Sequence, residues 1–144
     1  MKLIKPKFWD KNYNFFSIVL LPITFIILIF LFFKNKFTKS IKFDIPIICV
    51  GNIYIGGTGK TPTSIFIAKE LKRLGKKPVI IRKFYKNHVD EHDLIKRNFG
   101  DLIVDENRID AIKKAEKLGF NIAILDDGFQ DRKINKDFNI ICFN

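Results

Sequence analysis

Residues 47–62 read IICVGNIYIGGTGKTP, an apolar run followed by a glycine-rich turn and a lysine–threonine pair. The run 47–50 is apolar throughout, as strands buried on both faces of a parallel sheet are. The glycines allow consecutive backbone N–H groups to point at one anion, and the helix that begins after them adds the positive end of its dipole. The stretch therefore predicts a strand, a phosphate-binding loop and a helix start, in that order.

The loop departs from the usual phosphate-loop pattern at one position. The pattern G-x-x-x-x-G-K-[ST] places a glycine where Tyr54 stands. A solvated glycine turn is the alternative interpretation, but the preceding strand, the lysine–threonine pair and the following helix favour phosphate. Lys60 is then placed to reach the β- and γ-phosphates, and the Thr61 hydroxyl to hold Mg²⁺. The predicted nucleotide-binding residues are Tyr54, Ile55, Gly56, Gly57, Thr58, Gly59, Lys60 and Thr61.

Strand and helix patterns alternate along the rest of the chain. Strands are predicted at 46–50, 79–81, 102–104, 122–125 and 138–143, and helices at 61–74, 90–99 and 106–118. This alternation is typical of a parallel α/β sheet. We therefore expect a P-loop NTPase-like parallel sheet flanked by helices over residues 45–144.

Two carboxylates follow the apolar run 122–125, in the sequence Asp126-Asp127-Gly128. Ligands of open α/β sheets bind at the carboxyl ends of the strands. Beside a phosphate-binding loop, an acid at that edge holds Mg²⁺ directly or through water. The alternative is a simple turn signal. The loop upstream favours the magnesium interpretation and leaves open whether Asp126 or Asp127 serves the metal.

Further charged residues stand near the predicted sheet edge. Among the basic residues that could meet phosphate, Arg82 is favoured because it directly follows the second strand. Asp90 and Glu91 are candidate acids near the nucleotide, although acids are also welcome at any helix start. The segment 88–92 matches the inverted zinc-protease pattern H-x-x-E-H, but no third ligand is evident and zinc is disfavoured.

The N-terminal segment, 1–44, has a different character. Residues 15–33 carry no charge, and this length just spans a hydrocarbon core, so the sequence predicts a transmembrane or membrane-anchoring helix and then a basic linker. A cleaved signal peptide and a buried soluble helix are the alternatives. The net charge of +11 suggests an anionic partner, and the lysines beside the apolar run favour a membrane surface over nucleic acid. The two cysteines show neither zinc nor disulfide spacing and are expected in the core of a protein from a reducing compartment.

These motifs resemble those of the tetraacyldisaccharide 4′-kinase family, the lipid A kinases of Gram-negative bacteria. The resemblance is carried by residues 50–53 with 56–62 and by residues 125–130, LDDGFQ. It implies an ATP- and Mg²⁺-dependent enzyme that phosphorylates the 4′-hydroxyl of a lipid A disaccharide precursor. With the apolar N-terminal segment, we expect an inner-membrane protein, and because a nucleotide-binding domain must meet ATP, its catalytic domain is expected to face the cytoplasm. Asp90 resembles the family's catalytic base, acting with Lys60, while Glu91 and Gln130 match positions near substrate or phosphate.

The chain also departs from that family. Arg82 alone is securely kept from the family's Ser-Arg-Gly-Tyr-Gly, and Asp131 stands where the family has a histidine. The family's chains are about twice as long, so the second lobe is expected to be absent here. The alternative to an active kinase is a truncated, membrane-bound module that holds ATP and Mg²⁺ without transferring phosphate. The sequence leaves the acyl-chain specificity and the oligomeric state open.

Overall fold

The computed structural model describes residues 15–37, 39–52, 59–85 and 89–143. The chain divides into two compact units, the first ending at Lys39 and the second beginning at Ser40. The elements in chain order are α1 (Phe15–Phe37), β1 (Ile47–Asn52), α2 (Lys60–Arg73), β2 (Pro78–Lys83), α3 (Val89–Asn98), β3 (Leu102–Asp105), α4 (Arg108–Lys117), β4 (Ile122–Asp126) and β5 (Phe138–Cys142).

The first unit contains α1, a helix of 23 residues with Pro22 in its interior. Every side chain from Ile18 to Lys34 is exposed, and those from 18 to 33 include a large number of Ile, Leu and Phe residues. Across the described ranges, no helix is both long enough and apolar enough to cross a bilayer. The expected helix is therefore present, and its expected membrane crossing is not supported.

The second unit is built on one five-stranded sheet in the order β3-β2-β4-β1-β5. All four neighbouring pairs are parallel. Because the strands are parallel, their carboxyl ends meet at the same edge. The order places β1 beside β4, so the ends of the two motif-bearing strands are neighbours. The predicted parallel sheet flanked by helices is confirmed.

Two apolar layers cover the sheet. On one face Ala111, Ile112 and Ala115 of α4 pack with strand residues, and on the other Ile65 and Ala68 of α2 join Ile95 of α3. Alternate side chains within each strand lie on opposite faces of the sheet, as the two-residue period of a strand requires. Burial on both faces explains why β1, β2 and β4 contain continuous apolar runs, whereas the edge strand β5 is mostly exposed.

The start of the second unit includes part of the predicted linker. Ile41 forms an isolated parallel bridge with Ile134, and the Asp44 N–H donates to Glu116 Oε1 at 3.0 Å. Phe43 packs against the core on the α4 face. Residues 41–44, predicted as linker, therefore contact the α/β unit.

Candidate functional site

The register of β1 and β4 brings the two motifs together. Val50 is the parallel partner of Asp126, the last residue of β4. The Asp127 N–H then donates to the Val50 carbonyl at 2.8 Å, which extends the contact beyond the strand. Both predicted acids consequently leave the sheet beside the strand that leads into the glycine-rich loop.

Two glycines allow this close approach. A Cβ on Gly51 would lie 2.2 Å from Cδ2 of Phe129, so only a glycine lets that ring pack against β1. A Cβ on Gly128 would lie 2.7 Å from Cβ of Leu125 and 3.1 Å from the Cys49 sulfur. The glycines in the two motifs therefore have a packing role at the contact between β1 and the segment after β4.

The helix α2 begins at Lys60, directly after Gly59, whose φ of 75° lies in the left-handed region that suits glycine. The Gly59 carbonyl accepts from the Thr63 N–H at 3.0 Å and from the Thr63 hydroxyl at 2.9 Å. The helix start is thus where the lysine–threonine pair predicts it. The remaining predicted loop residues lie outside the described residues: Tyr54, Ile55, Gly56, Gly57 and Thr58.

Lys60 lies between the two strand ends. Its ammonium group donates to Asn52 Oδ1 at 3.0 Å and to Asp127 Oδ1 at 3.1 Å. The Lys60 side chain is 23% exposed and that of Asp127 is 50% exposed, so the pair lies at the mouth of the site. The geometry places one cation at the helix start, facing solvent and within reach of an incoming anion.

Asp126 is the buried centre of the site, with 1% of its surface exposed. Its Oδ2 accepts from the Thr61 hydroxyl at 3.0 Å, and its Oδ1 accepts from the Ser64 hydroxyl at 3.1 Å. The Arg82 guanidinium completes the set, with Nη1 3.3 Å from Asp126 Oδ2. Such partners offset the cost of burying a polar carboxyl group.

Arg82 also reaches toward α3. It stands near the carboxyl end of β2, is 7% exposed, and its Nη2 forms an ion pair with the Glu91 carboxylate. Asp90, the neighbouring residue, is exposed in the first turn of α3. The chain of ion pairs from Asp126 through Arg82 to Glu91 therefore fixes the start of α3 at the site. Gln130 is exposed in the turn after Phe129.

The residues predicted to hold a divalent cation lie together. The Thr61 hydroxyl and the Asp126 carboxylate are in direct contact. Oxygen ligands of this kind suit Mg²⁺, which usually takes one or two protein carboxylates and completes its shell with water and substrate phosphate. Within the described ranges, no group of three or more His, Cys, Asp or Glu side chains could hold a metal ion. The donor set fits a magnesium ion shared with a phosphate ligand.

The zinc pattern is only partly visible. His92 is buried on α3, whereas His88 lies outside the described residues. Glu91, the acid of that pattern, pairs with Arg82. The structure therefore assigns Glu91 to the ion-pair chain that ends at Asp126.

Three contributors to the site carry no strong sequence signal. Asn52 ends β1 and Ser64 lies one helical turn after Thr61, a spacing that could have indicated a shared face. Arg108, the first residue of α4, donates from Nη2 to the Asp127 carbonyl at 2.8 Å and pairs through Nη1 with Asp131. Only long-range register shows that these side chains reach the ends of β1 and β4.

Cys49 lies under the site in β1. It is fully buried, and that burial raises the pKa of its thiol above the usual 9.0. Cys142 is half-buried in β5, and both cysteines are free. The expectation of a core thiol is therefore met by Cys49 and only partly by Cys142.

The fold and the site together define a class. A parallel α/β sheet whose first strand leads into a lysine–threonine helix start, opposite a buried aspartate on the adjacent strand, is the arrangement of phosphate-binding-loop proteins. Both the position of the lysine, threonine and aspartate and their chemistry suit the phosphates of a nucleotide.

Comparison with known proteins places the chain within that class. Residues 16–93 and 88–144 match the family model of tetraacyldisaccharide-1-P 4′-kinase, LpxK. The chain belongs to this family. It is 47% identical to the tetraacyldisaccharide 4′-kinase of Pelagibacter ubique over all of this chain and 46% of that protein. It is 40% identical to the Aliarcobacter butzleri enzyme of the same name, over 96% of this chain and 49% of that protein.

A solved structure is also similar. The crystal structure of LpxK from Aquifex aeolicus in complex with ATP matches with a TM-score of 0.68 and 30% identity, over 85% of this chain and 47% of that one. The chain thus spans about half the length of the relatives that it matches.

Proposed function

We propose that this chain forms the ATP-binding part of a kinase that phosphorylates the 4′-hydroxyl of tetraacyldisaccharide 1-phosphate, in lipid A biosynthesis. The relatives named above carry that activity in their names, and the similar Aquifex structure contains ATP. The observation that carries the proposal lies at the ends of β1 and β4, where Lys60 contacts Asn52 and Asp127 and the Thr61 hydroxyl contacts Asp126. Phosphoryl transfer needs a cation, a hydroxyl and a carboxylate placed in this way.

The roles follow from burial and charge. Lys60, at the mouth of the site, binds the terminal phosphates of ATP together with backbone N–H groups of the loop. Thr61 and Asp126 would hold Mg²⁺, which neutralises charge on the phosphates when it is bound. Asp126 is assigned to the metal because its carboxylate touches the Thr61 hydroxyl, whereas Asp127 pairs with Lys60. ATP binding then requires Lys60 to exchange Asp127 for phosphate.

Asp90 is proposed as the general base. It is exposed at the start of α3, where an acceptor hydroxyl can approach, and the Arg82–Glu91 ion pair fixes that helix start. In the reaction the 4′-hydroxyl oxygen bonds to the γ-phosphorus, the bond to the β–γ bridging oxygen breaks, and ADP leaves. Asp90 accepts the proton of the hydroxyl.

The test is transfer of labelled phosphate from ATP to tetraacyldisaccharide 1-phosphate in detergent micelles. The wild-type chain should form the product, and Asp90→Asn should lower kcat about a hundredfold or more. Asp93→Asn, an exposed acid one turn further along α3, is the matched control and should retain activity. If the Pelagibacter relative forms product and this chain binds ATP without forming any, the chain is a nucleotide-holding module instead.

We also propose that α1 is the membrane contact of the chain, at the cytoplasmic face of the bacterial inner membrane. Exposed Ile, Leu and Phe side chains along 18–33 support it, because so large an apolar surface is rarely left in water. The basic residues Lys34, Lys39 and Lys42 follow and suit an anionic lipid surface. A lipid substrate also requires the enzyme to work at a membrane.

The membrane proposal is tested by a charge in α1. Ile26 is 66% exposed near the middle of the helix. An arginine among the apolar side chains that contact lipid opposes the burial of that face in the membrane. Ile26→Arg should therefore move much of the protein to the soluble fraction, and Ile26→Leu, the apolar control, should not. Extraction of the wild-type chain by high salt alone would show that α1 is held by surface charge only.

A further inference from the structure

Arg108 is a buried cation in an unfavourable place for its own helix. It is the first residue of α4 and only 6% exposed. A positive charge at a helix N-terminus opposes the helix dipole. The helix start is already capped, because the Asn107 side chain accepts from the Ile109 N–H at 3.1 Å. The stability of α4 therefore does not explain why an arginine stands there.

The Arg108 guanidinium instead binds the turn that follows β4. Nη2 donates to the Asp127 carbonyl at 2.8 Å and to the Asp126 carbonyl at 3.3 Å. Nη1 forms an ion pair with the carboxylate of Asp131, which lies further along the same segment. One planar side chain thus joins two consecutive carbonyl groups and a carboxylate, a geometry that lysine cannot reproduce.

The turn at Asp126 and Asp127 has an uncommon backbone conformation. Asp127 has φ 61°, in the left-handed region, and it is the only non-glycine residue with a positive φ in the described ranges. Such a conformation persists when surrounding contacts fix it. Here the Asp127 N–H is fixed by the Val50 carbonyl at 2.8 Å, and the Asp127 carbonyl is fixed by Arg108. The direction of the two carboxylates depends on this turn.

We propose that Arg108, held by Asp131, is a positioning residue of the site, which fixes the Asp126–Asp127 turn and so aims both carboxylates. Its meaning for phosphoryl transfer rests on the proposed function. The grip on the turn is a property of the free protein and can be tested without nucleotide.

The first experiment measures amide hydrogen exchange of the full chain. In Arg108→Lys the Asp127 amide should exchange about tenfold faster or more, because hydrogen bonds to a charged group are lost. The core amides of β2 should keep their protection. Asp131→Asn retains the guanidinium and should speed exchange of the Asp127 amide by a smaller factor. This variant replaces Arg108→Lys as the test if Arg108→Lys does not fold. Arg132→Lys, at an exposed neighbour, is the control. Unchanged exchange at Asp127 in both variants would overturn the proposal.

The second experiment measures ATP affinity by calorimetry with Mg²⁺ and with EDTA. Arg108→Lys should weaken binding several-fold with Mg²⁺ and less in EDTA, because Asp126, one of the two carboxylates that it aims, is the proposed metal acid. An equal loss in both conditions would contradict a positioning role. If the wild-type chain binds no ATP, the proposed function fails, and the exchange experiment still decides whether Arg108 fixes the turn.

Discussion

Replacing Lys60 with alanine separates binding from folding. In the free protein the ammonium group touches Asn52 Oδ1 at 3.0 Å and Asp127 Oδ1 at 3.1 Å. Asp127 is half-exposed, so this ion pair is screened by water and contributes less than about 1 kcal/mol. Alanine is also the best helix former and stands at the first residue of α2. We therefore expect the free energy of unfolding to change by less than about 1 kcal/mol.

Nucleotide binding should change much more. A charge-assisted hydrogen bond to phosphate is worth about 1.5–3 kcal/mol, which corresponds to about a ten- to hundredfold loss of ATP affinity. Lys60→Ala also removes the cation that lies between the Asp127 carboxylate and the phosphates. Without the Lys60 cation between them, the negative charges of Asp127 and the phosphates repel one another.

The assay is isothermal calorimetry with ATP and Mg²⁺, together with thermal melts of the same samples. Lys69→Ala is the matched control, since Lys69 is exposed on the same helix. Its ATP affinity should equal that of the wild-type chain. If Lys60→Ala binds ATP as the wild type does, or if it unfolds the domain, the lysine is structural and the assignment of this site is wrong.

Three further predictions concern the metal, the packing under the site and the thiols. Thr61→Ala should weaken ATP binding with Mg²⁺ and leave it unchanged in EDTA, as measured by calorimetry. Gly51→Ala should destabilise the fold by about 1–3 kcal/mol in urea titrations, because its new Cβ would overlap the Phe129 ring, and Phe129→Leu should partly restore stability in the double variant. At pH 8 a thiol reagent should modify the half-buried Cys142 well before the buried Cys49. Because burial raises the pKa of Cys49 above 9.0, the stability that this thiol contributes is present below that pH and is lost as the pH rises through the folded pKa.

The order and type of the elements could be predicted because the central strands are buried on both faces. Strands β1, β2 and β4 contain continuous apolar runs. Each intervening helix is followed two residues later by a glycine with a positive φ: Gly75, Gly100 and Gly119. The end positions were less predictable. Strand β1 continues to Asn52 because Gly51 and Asn52 pair with residues of β5 that lie 90 positions later in the sequence. Helix α4 begins later than predicted because Asn107 is its cap.

The site was predictable where one motif carries the residues. Lys60, Thr61, Asp126 and Asp127 are indicated by type and by position after a strand, and the structure brings all four together. The sequence could not separate the roles of the two aspartates, because their difference lies in burial: Asp126 is 1% exposed, whereas the side chain of Asp127 is 50% exposed.

Other contributors reach the site only through the tertiary fold. Ser64 and Arg108 belong to different helices on opposite faces of the sheet, and no local pattern connects either of them to Asp126. Arg82 was predicted near phosphate, and the structure adds that its guanidinium is buried between Asp126 and Glu91. The ion-pair partners of a basic residue depend on the strand order and could not be predicted from its own position.

The most direct measurement of the central claim is the position of a bound nucleotide. A crystal structure of this chain with a non-hydrolysable ATP analogue and Mg²⁺ would provide it. We predict that the terminal phosphate lies at the start of α2, that Lys60 has left Asp127 for that phosphate, and that the metal lies beside Thr61 and Asp126. A nucleotide bound elsewhere, with Lys60 still paired to Asp127, would contradict the account.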